Sequence, residues 1–405
     1  MDALDIMLHL EQVIPYYQPI VRADTQLVVG YEVIPVLKRE KDVQELSGFF
    51  NDSNIPVDFL LDAYNDIQRK VLNQFMQSDQ STLLFFPYEA SVLLDDNGQQ
   101  FLSLLQSYLD NGLDVTKIIM QIKETPLADQ MDALNGLFTY MKSLGIGIAI
   151  DNVGQRIGNL DRLAVIEPTV IKVDTSFLKD DLLPHLYRDV HHSISMLSRK
   201  IGATLMFKGI STYQQLNYAW RNGGQFYQGG YIQKAQPTWS SPDCCKERMT
   251  SDFQHFVNFE RKKMKAQLEL SRQINAQFDA IWNSLQREAS YDEMVLSIGQ
   301  ACNPFAFRVY LCNEEGIQLS SNAEKNTEGA WELHYEGRHK NWSWRPYFFE
   351  NIIRMNVEKK GILSDLYTDI DRDELIRTYA YPLSEERYVF LDIPYDYLVE
   401  QEALL

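Results

Sequence analysis

The chain has 405 residues, with 38 Lys and Arg against 56 Asp and Glu, a formal charge of -18 and a pI near 4.8. That balance excludes a broad surface for nucleic acid or anionic lipid, which needs clustered cations, so any anionic ligand has to meet a local basic pocket. The length exceeds what one hydrophobic core organises, and two or three domains are expected.

The N-terminal stretch MDALDIMLHLEQVIPYYQPI carries early acids and no basic leader. Nowhere do about 18 apolar residues run together, so a soluble cytoplasmic protein without membrane insertion is expected. Cys244, Cys245, Cys302 and Cys312 form no CxxC pair and read as reduced structural thiols, not zinc ligands. His191 and His192 lie in a helical pattern, DVHHSISMLSRK, and read as solvated face residues.

From Ile14 to about Lys234, apolar runs alternate with amphipathic helical stretches: YYQPI, LVVGYEVI, STLLFF, IIMQI, GIGIAI, VIKVD, ATLMF and FYQGGYI. About eight strands in some 230 residues predict an α/β fold, a closed (β/α)8-type barrel over residues 1–240. Strand after strand ends on a polar residue: Glu32, Glu124, Asp151, Lys172 with Asp174, and Lys208. In a barrel these converge on the C-terminal rim, where active sites of this fold lie.

Ser241-Pro242-Asp243 predicts a helix start with Ser241 as N-cap. The following stretch to about residue 290 has no internal Pro or Gly; a helix of 45 residues would be about 70 Å long. Val257, Met264, Phe278 and Leu285 share one heptad position and Phe253, Ile274 and Ile281 the complementary one, interrupted by Glu260, Gln267 and Ser271. A helix packed on its own domains and a dimer-forming helix fit this pattern equally. Residues 291–405 read as antiparallel strands with one helix, FFENIIRMNVEK, a small α+β sensor-like domain.

The rim motifs YYQPI, GYEVI, IAIDNVG, IKVD and YQGGYI resemble the EAL-domain family of cyclic-di-GMP phosphodiesterases. The whole chain resembles its YkuI-type branch, in which NWSWRPYF and SDLYTD match a PAS- or Cache-like C-terminal domain. The resemblance implies hydrolysis of one phosphodiester by water held between two magnesium or manganese ions. Two such ions about 4 Å apart repel by about 17 kcal/mol even at a dielectric of 20, so several carboxylates have to share the site.

Here most of them are replaced. Glu32 matches the signature glutamate and Asp151 the first of the paired aspartates, leaving these two as remnant metal ligands. Asn152 replaces the bridging aspartate, Gln121 the glutamate of the ExTE strand end, and Pro87-Tyr88 the metal-binding asparagine. Lys208 stands at the catalytic base of the EGVE motif, and a cation cannot activate water. Lys172, used by the family near the scissile phosphate, is the remaining catalytic remnant, and Val36 replaces a phosphate-contacting arginine.

The expectation is therefore a catalytically inactive, dimeric signalling protein of the cyclic-di-GMP network that needs no cofactor, with Mg2+ or Mn2+ entering only at a residual site. An alternative is a metal-independent cyclic-di-GMP receptor whose phosphates meet Lys172, Lys208 or Arg156; a weakly active phosphodiesterase is the third. Gln18, Glu32, Lys172 and Gln228 are ligand candidates in the barrel, and Arg345 and Asp392 in the C-terminal domain, which is expected to bind a small polar ligand. Each has a bland reading as well. Glu32 and Asp151 can pair with Lys172 and Lys208, Gln18 and Gln228 can satisfy strand ends, Arg345 and Asp392 can form a structural ion pair, and Trp342, Trp344, Tyr347, Tyr367 and Tyr381 can be packing residues.

Overall fold

A computed structural model describes residues 3–39, 42–123, 131–154, 160–179, 185–285, 290–345, 348–369 and 371–403. Glu124, Arg156 and Tyr347 lie outside them. The chain divides into two compact units after Phe256.

The first unit is a closed barrel. Its strands are β1 (Val13–Arg22), β2 (Val28–Arg39), β4 (Leu83–Tyr88), β5 (Ile118–Lys123), β6 (Gly147–Asp151), β7 (Val170–Asp174), β8 (Thr204–Lys208) and β9 (Phe226–Gln228), with β3 (Asp42–Glu45) added on the edge of β2. They follow the order β1-β9-β8-β7-β6-β5-β4-β2, and β1 closes the ring on β2. The barrel is not all parallel, because β1 runs antiparallel to both neighbours. A strand that enters before the first βα unit has no crossover helix to reverse it, so a hairpin joins it to β2.

β6 is buried at every position and β5 at all but its last, as parallel strands covered on both faces must be. Inward residues Ile20, Phe85, Ile119, Ala149, Val170, Met206 and Phe226 form the apolar floor of the barrel. Outward residues pack on helices such as Val57–Phe75, whose Leu60, Tyr64, Ile67, Val71 and Phe75 make one buried stripe. His191 departs from its expected exposed position: it is buried against Phe177 and hydrogen-bonded to the Tyr218 hydroxyl at 2.7 Å, and burial lowers its pKa to about 4. His192 is exposed, as a face residue should be.

The long helix spans Lys246–Ser284, starting later than Ser241-Pro242 suggested, because residues 242–245 form turns instead. Its Met249 and Phe256 belong to the barrel core, and its Leu270, Ile274 and Phe278 to the core of the second unit. No helix among the described residues is long and apolar enough to cross a membrane.

The second unit is an antiparallel sheet of seven strands: β10 (Arg308–Asn313), β11 (Asn322–Lys325), β12 (Trp331–His334), β13 (Ile362–Leu363), β14 (Tyr367–Thr368), β15 (Leu375–Ser384) and β16 (Arg387–Pro394). Period-two alternation divides it cleanly. Val309, Leu311, Tyr379, Val389 and Leu391 face Phe278 and the helix Tyr291–Ala301, while Tyr310, Cys312, Ala380, Tyr388 and Phe390 face the helix Phe348–Glu358. Helices Tyr291–Ala301 and Tyr395–Ala403 were not expected. The first has a readable start, since Ser290 and Glu293 form a capping box. Trp344 is 68% exposed and is not the packing residue expected of it.

Phe278 is fully buried against Tyr379 and Tyr381, whereas Phe259 on the same helix is 61% exposed. Phe278→Ala should therefore cost about 3–5 kcal/mol in denaturant unfolding of the second unit. Phe259→Ala should change stability by less than about 0.5 kcal/mol.

Candidate functional site

Two residues above the apolar floor, the same alternation turns a second ring of side chains into the barrel. Ile119 leads to Gln121, Ala149 to Asp151, Val170 to Lys172, Met206 to Lys208 and Phe226 to Gln228, while Glu32 stands beside Phe85 in register. Gln121, Asp151, Lys172 and Gln228 are at most 4% exposed.

The ring is a connected polar network. Lys172 Nζ donates to Glu32 Oε2 at 2.8 Å and to Gln121 Oε1 at 2.6 Å. The Gln121 amide nitrogen donates to Glu32 Oε1 at 3.0 Å and to Asp151 Oδ2 at 3.1 Å. Its orientation is forced, since the amide oxygen must face the ammonium and the nitrogen the two acids. Lys208 Nζ donates to Asp151 Oδ2 at 2.7 Å, Gln228 donates to Glu32 Oε2, and the Asn152 N–H closes on Asp151 Oδ1 at 2.8 Å. Asn152 reaches this position with φ +62°, a left-handed conformation that asparagine tolerates. Its Oδ1 is buried and has no hydrogen-bond partner among the described residues.

Two close backbone approaches hold the ring. Gly209 has φ +72°, and a Cβ there would stand 2.7 Å from Asp174 Oδ1, which caps the following turn by accepting from the Ser176 N–H. A Cβ on Gly229 would stand 2.1 Å from the Ile210 carbonyl oxygen, so only glycine lets the strand carrying Gln228 lie against the turn after Lys208.

Burial by itself would raise the Glu32 pKa, but the ammoniums of Lys172 and Lys208 overcome it and hold the carboxyl at about 2. Burial likewise opposes the charge on Lys208, and Asp151 and Glu32 outweigh it, so the Lys208 pKa is raised. Two carboxylates and two ammoniums balance. As arranged, these groups do not fit a pair of divalent ions: both Asp151 oxygens and both Glu32 oxygens face hydrogen-bond donors, and an ammonium lies against Asp151.

The structure thus brings Glu32, Asp151, Lys172, Lys208 and Gln228 together, in the ion-pair arrangement that was one of the two readings of the sequence. Gln18, opposite Glu32 in register, instead donates to the Gln233 carbonyl at 2.6 Å. Val36 is buried in β2 opposite Ile14. Lys172, expected near a scissile phosphate, is sealed at 0% exposure. Lys123 was missed, although it shares the parity of Gln121: one step further up the rim it pairs with Glu89 at 3.0 Å and donates to Asn51.

In the second unit Arg345 and Asp392 do not pair. Asp392 is engaged by Arg308 Nη1 at 3.1 Å and by the Thr378 hydroxyl at 2.6 Å. Arg308 also binds Asp369 and Glu324, and its place on β10 facing β16 gave no signal in the sequence. The Arg345 guanidinium lies 4.1 Å from the Trp342 ring centroid and 6.0 Å from that of Tyr367.

Comparison with known proteins places this geometry. The EAL-domain profile matches residues 1–235 and that of the EAL-domain associated signalling protein domain matches residues 240–405. The EAL-domain containing protein YkuI of Bacillus subtilis is 39% identical over the full length of both chains. The crystal structure of that protein in complex with cyclic-di-GMP and calcium superposes with a TM-score of 0.94 at 38% identity, covering all of both chains. The FimX EAL domain of Pseudomonas aeruginosa shares the barrel fold at 18% identity and a TM-score of 0.51, over 60% of this chain and all of that one.

The low pKa of Glu32 sets a pH dependence. A carboxyl whose folded pKa lies below its ordinary 4.5 stabilises the fold above that value and loses its contribution as pH falls toward 2. The contribution at neutral pH is on the order of 3 kcal/mol. Glu32→Gln should give a shallower loss of stability between pH 5 and 2 than wild type in urea titrations. Lys172→Met, which leaves Glu32 without its ammonium, should cost about 3–5 kcal/mol at pH 7.

Proposed function

The chain belongs to the EAL-domain family, and from that premise we propose that it is a non-hydrolysing signalling member, binding cyclic-di-GMP at the barrel rim without cleaving it. One observation carries the reading: the Lys208 ammonium lies on Asp151 at the strand end where the family resemblance expects a general base. A protonated amine accepts no proton from water, and its charge repels the metal that Asp151 would otherwise ligate. Gln121 and Asn152 remove two further charges that a two-ion site uses. Support for dinucleotide binding comes from the YkuI relative, crystallised with cyclic-di-GMP.

Incubated with cyclic-di-GMP and Mn2+, the purified protein should form no more linear dinucleotide than a Glu32→Ala control; turnover above that control overturns the reading. Gln121→Glu, Asn152→Asp and Lys208→Glu combined should make the melting temperature rise with Mn2+, an effect absent from wild type.

The same reading includes a homodimer and a ligand-responsive C-terminal domain. Val257, Met264 and Leu268 are 42%, 63% and 66% exposed and, spaced seven and four apart, share one face of the long helix. That stripe suits a second copy of the helix. Met264→Glu with Leu268→Glu should reduce the mass found by light scattering to that of one 47.1 kDa chain. The Arg345 guanidinium, flanked by Trp342 and Tyr367, supports a small polar ligand there.

A further inference from the structure

We propose that Lys208 is the phosphate-binding group of this barrel, a tethered cation that receives a phosphodiester oxygen of the dinucleotide with no divalent ion. The proposal rests on the reading that the barrel binds cyclic-di-GMP, and it names the group that does so.

Among the described residues, Lys172, Lys208 and Lys123 bring ammoniums to the ring and the rim above it, and their surroundings differ. Lys172 is at 0% exposure, donates to Glu32 and Gln121, and lies 5.7 Å from the Phe85 ring centroid, so an anion reaches it only by opening the network. Lys123 spends two of its three donors on Glu89 and Asn51, further up the rim. Lys208 is 18% exposed and, among the described residues, makes one hydrogen bond, to Asp151 Oδ2. An ammonium carries three donors, so two remain for a ligand oxygen.

The group is also positioned in advance. Asp151 is fixed on one oxygen by the Asn152 N–H and on the other by the Gln121 amide, and it holds the Lys208 ammonium at 2.7 Å. A charge-assisted N–H···O bond to a phosphate oxygen is then available without the ordering of a free ion. Because a divalent ion would first have to displace this ammonium from Asp151, it adds nothing to binding.

Calorimetric titration of the full chain with cyclic-di-GMP in EDTA and again in millimolar Mg2+ tests this. Wild type should bind in both with dissociation constants within about twofold. In EDTA, Lys208→Met should bind at least about tenfold more weakly, and Lys208→Arg should retain binding. If Lys208→Met does not fold, Lys208→Met with Asp151→Asn removes both charges and should show the same loss. Binding of wild type only with Mg2+, or wild-type affinity of the Met variants in EDTA, overturns the role of Lys208 and leaves dinucleotide binding standing. No binding by wild type in either buffer overturns both.

Discussion

An ammonium at the centre of a barrel has to be neutralised within hydrogen-bonding distance, and the Lys172–Glu32 pair meets that requirement here. Taking an isolated charge out of water costs several kcal/mol even after relaxation, so each polar group around Lys172 is constrained to face it correctly. Gln121 is the element that joins the two halves: its amide oxygen accepts a hydrogen bond from Lys172 and its nitrogen donates to Glu32 and Asp151. A glutamate in that position would add a third carboxylate and break the balance. Gln121, the Asn152 N–H and Lys208 therefore complete one network around the two carboxylates.

That balance connects fold to function. A two-ion hydrolase keeps an excess of negative charge that the metals neutralise, whereas this ring carries its own cations on covalent stems. In the proposed reading, the counter-charge for the dinucleotide comes from Lys208, the part-exposed ammonium of the ring. The two glycines that bring the Lys208 turn against Asp174 and Gln228 make this geometry a property of the backbone as much as of the side chains.

The second unit solves a similar problem around Arg308. A guanidinium buried on the sheet is satisfied by Glu324, Asp369 and Asp392 from three segments distant in sequence. Asp392 is bonded within that cluster, and Arg345 lies over an aromatic ring, hydrogen-bonded to Tyr310 and within the field of the Asp392 charge. The pairing of acid with base across a sheet depends on register, and a one-residue slip would place Arg308 on the opposite face.

The sequence by itself determined the barrel and its strand-end polar residues. Apolar runs that alternate with amphipathic stretches have few other ways to bury their faces, and motif positions are local. It did not determine the antiparallel entry of β1, the late start of the long helix, the burial of His191 or the helices Tyr291–Ala301 and Tyr395–Ala403, which depend on what packs against them. Only the tertiary structure shows Glu32 paired with Lys172 and Asp151 with Lys208. It also decided which lysine is sealed and which is partly exposed. Those answers depend on distances between side chains up to 196 residues apart, fixed by barrel closure and register and by no local preference of the chain.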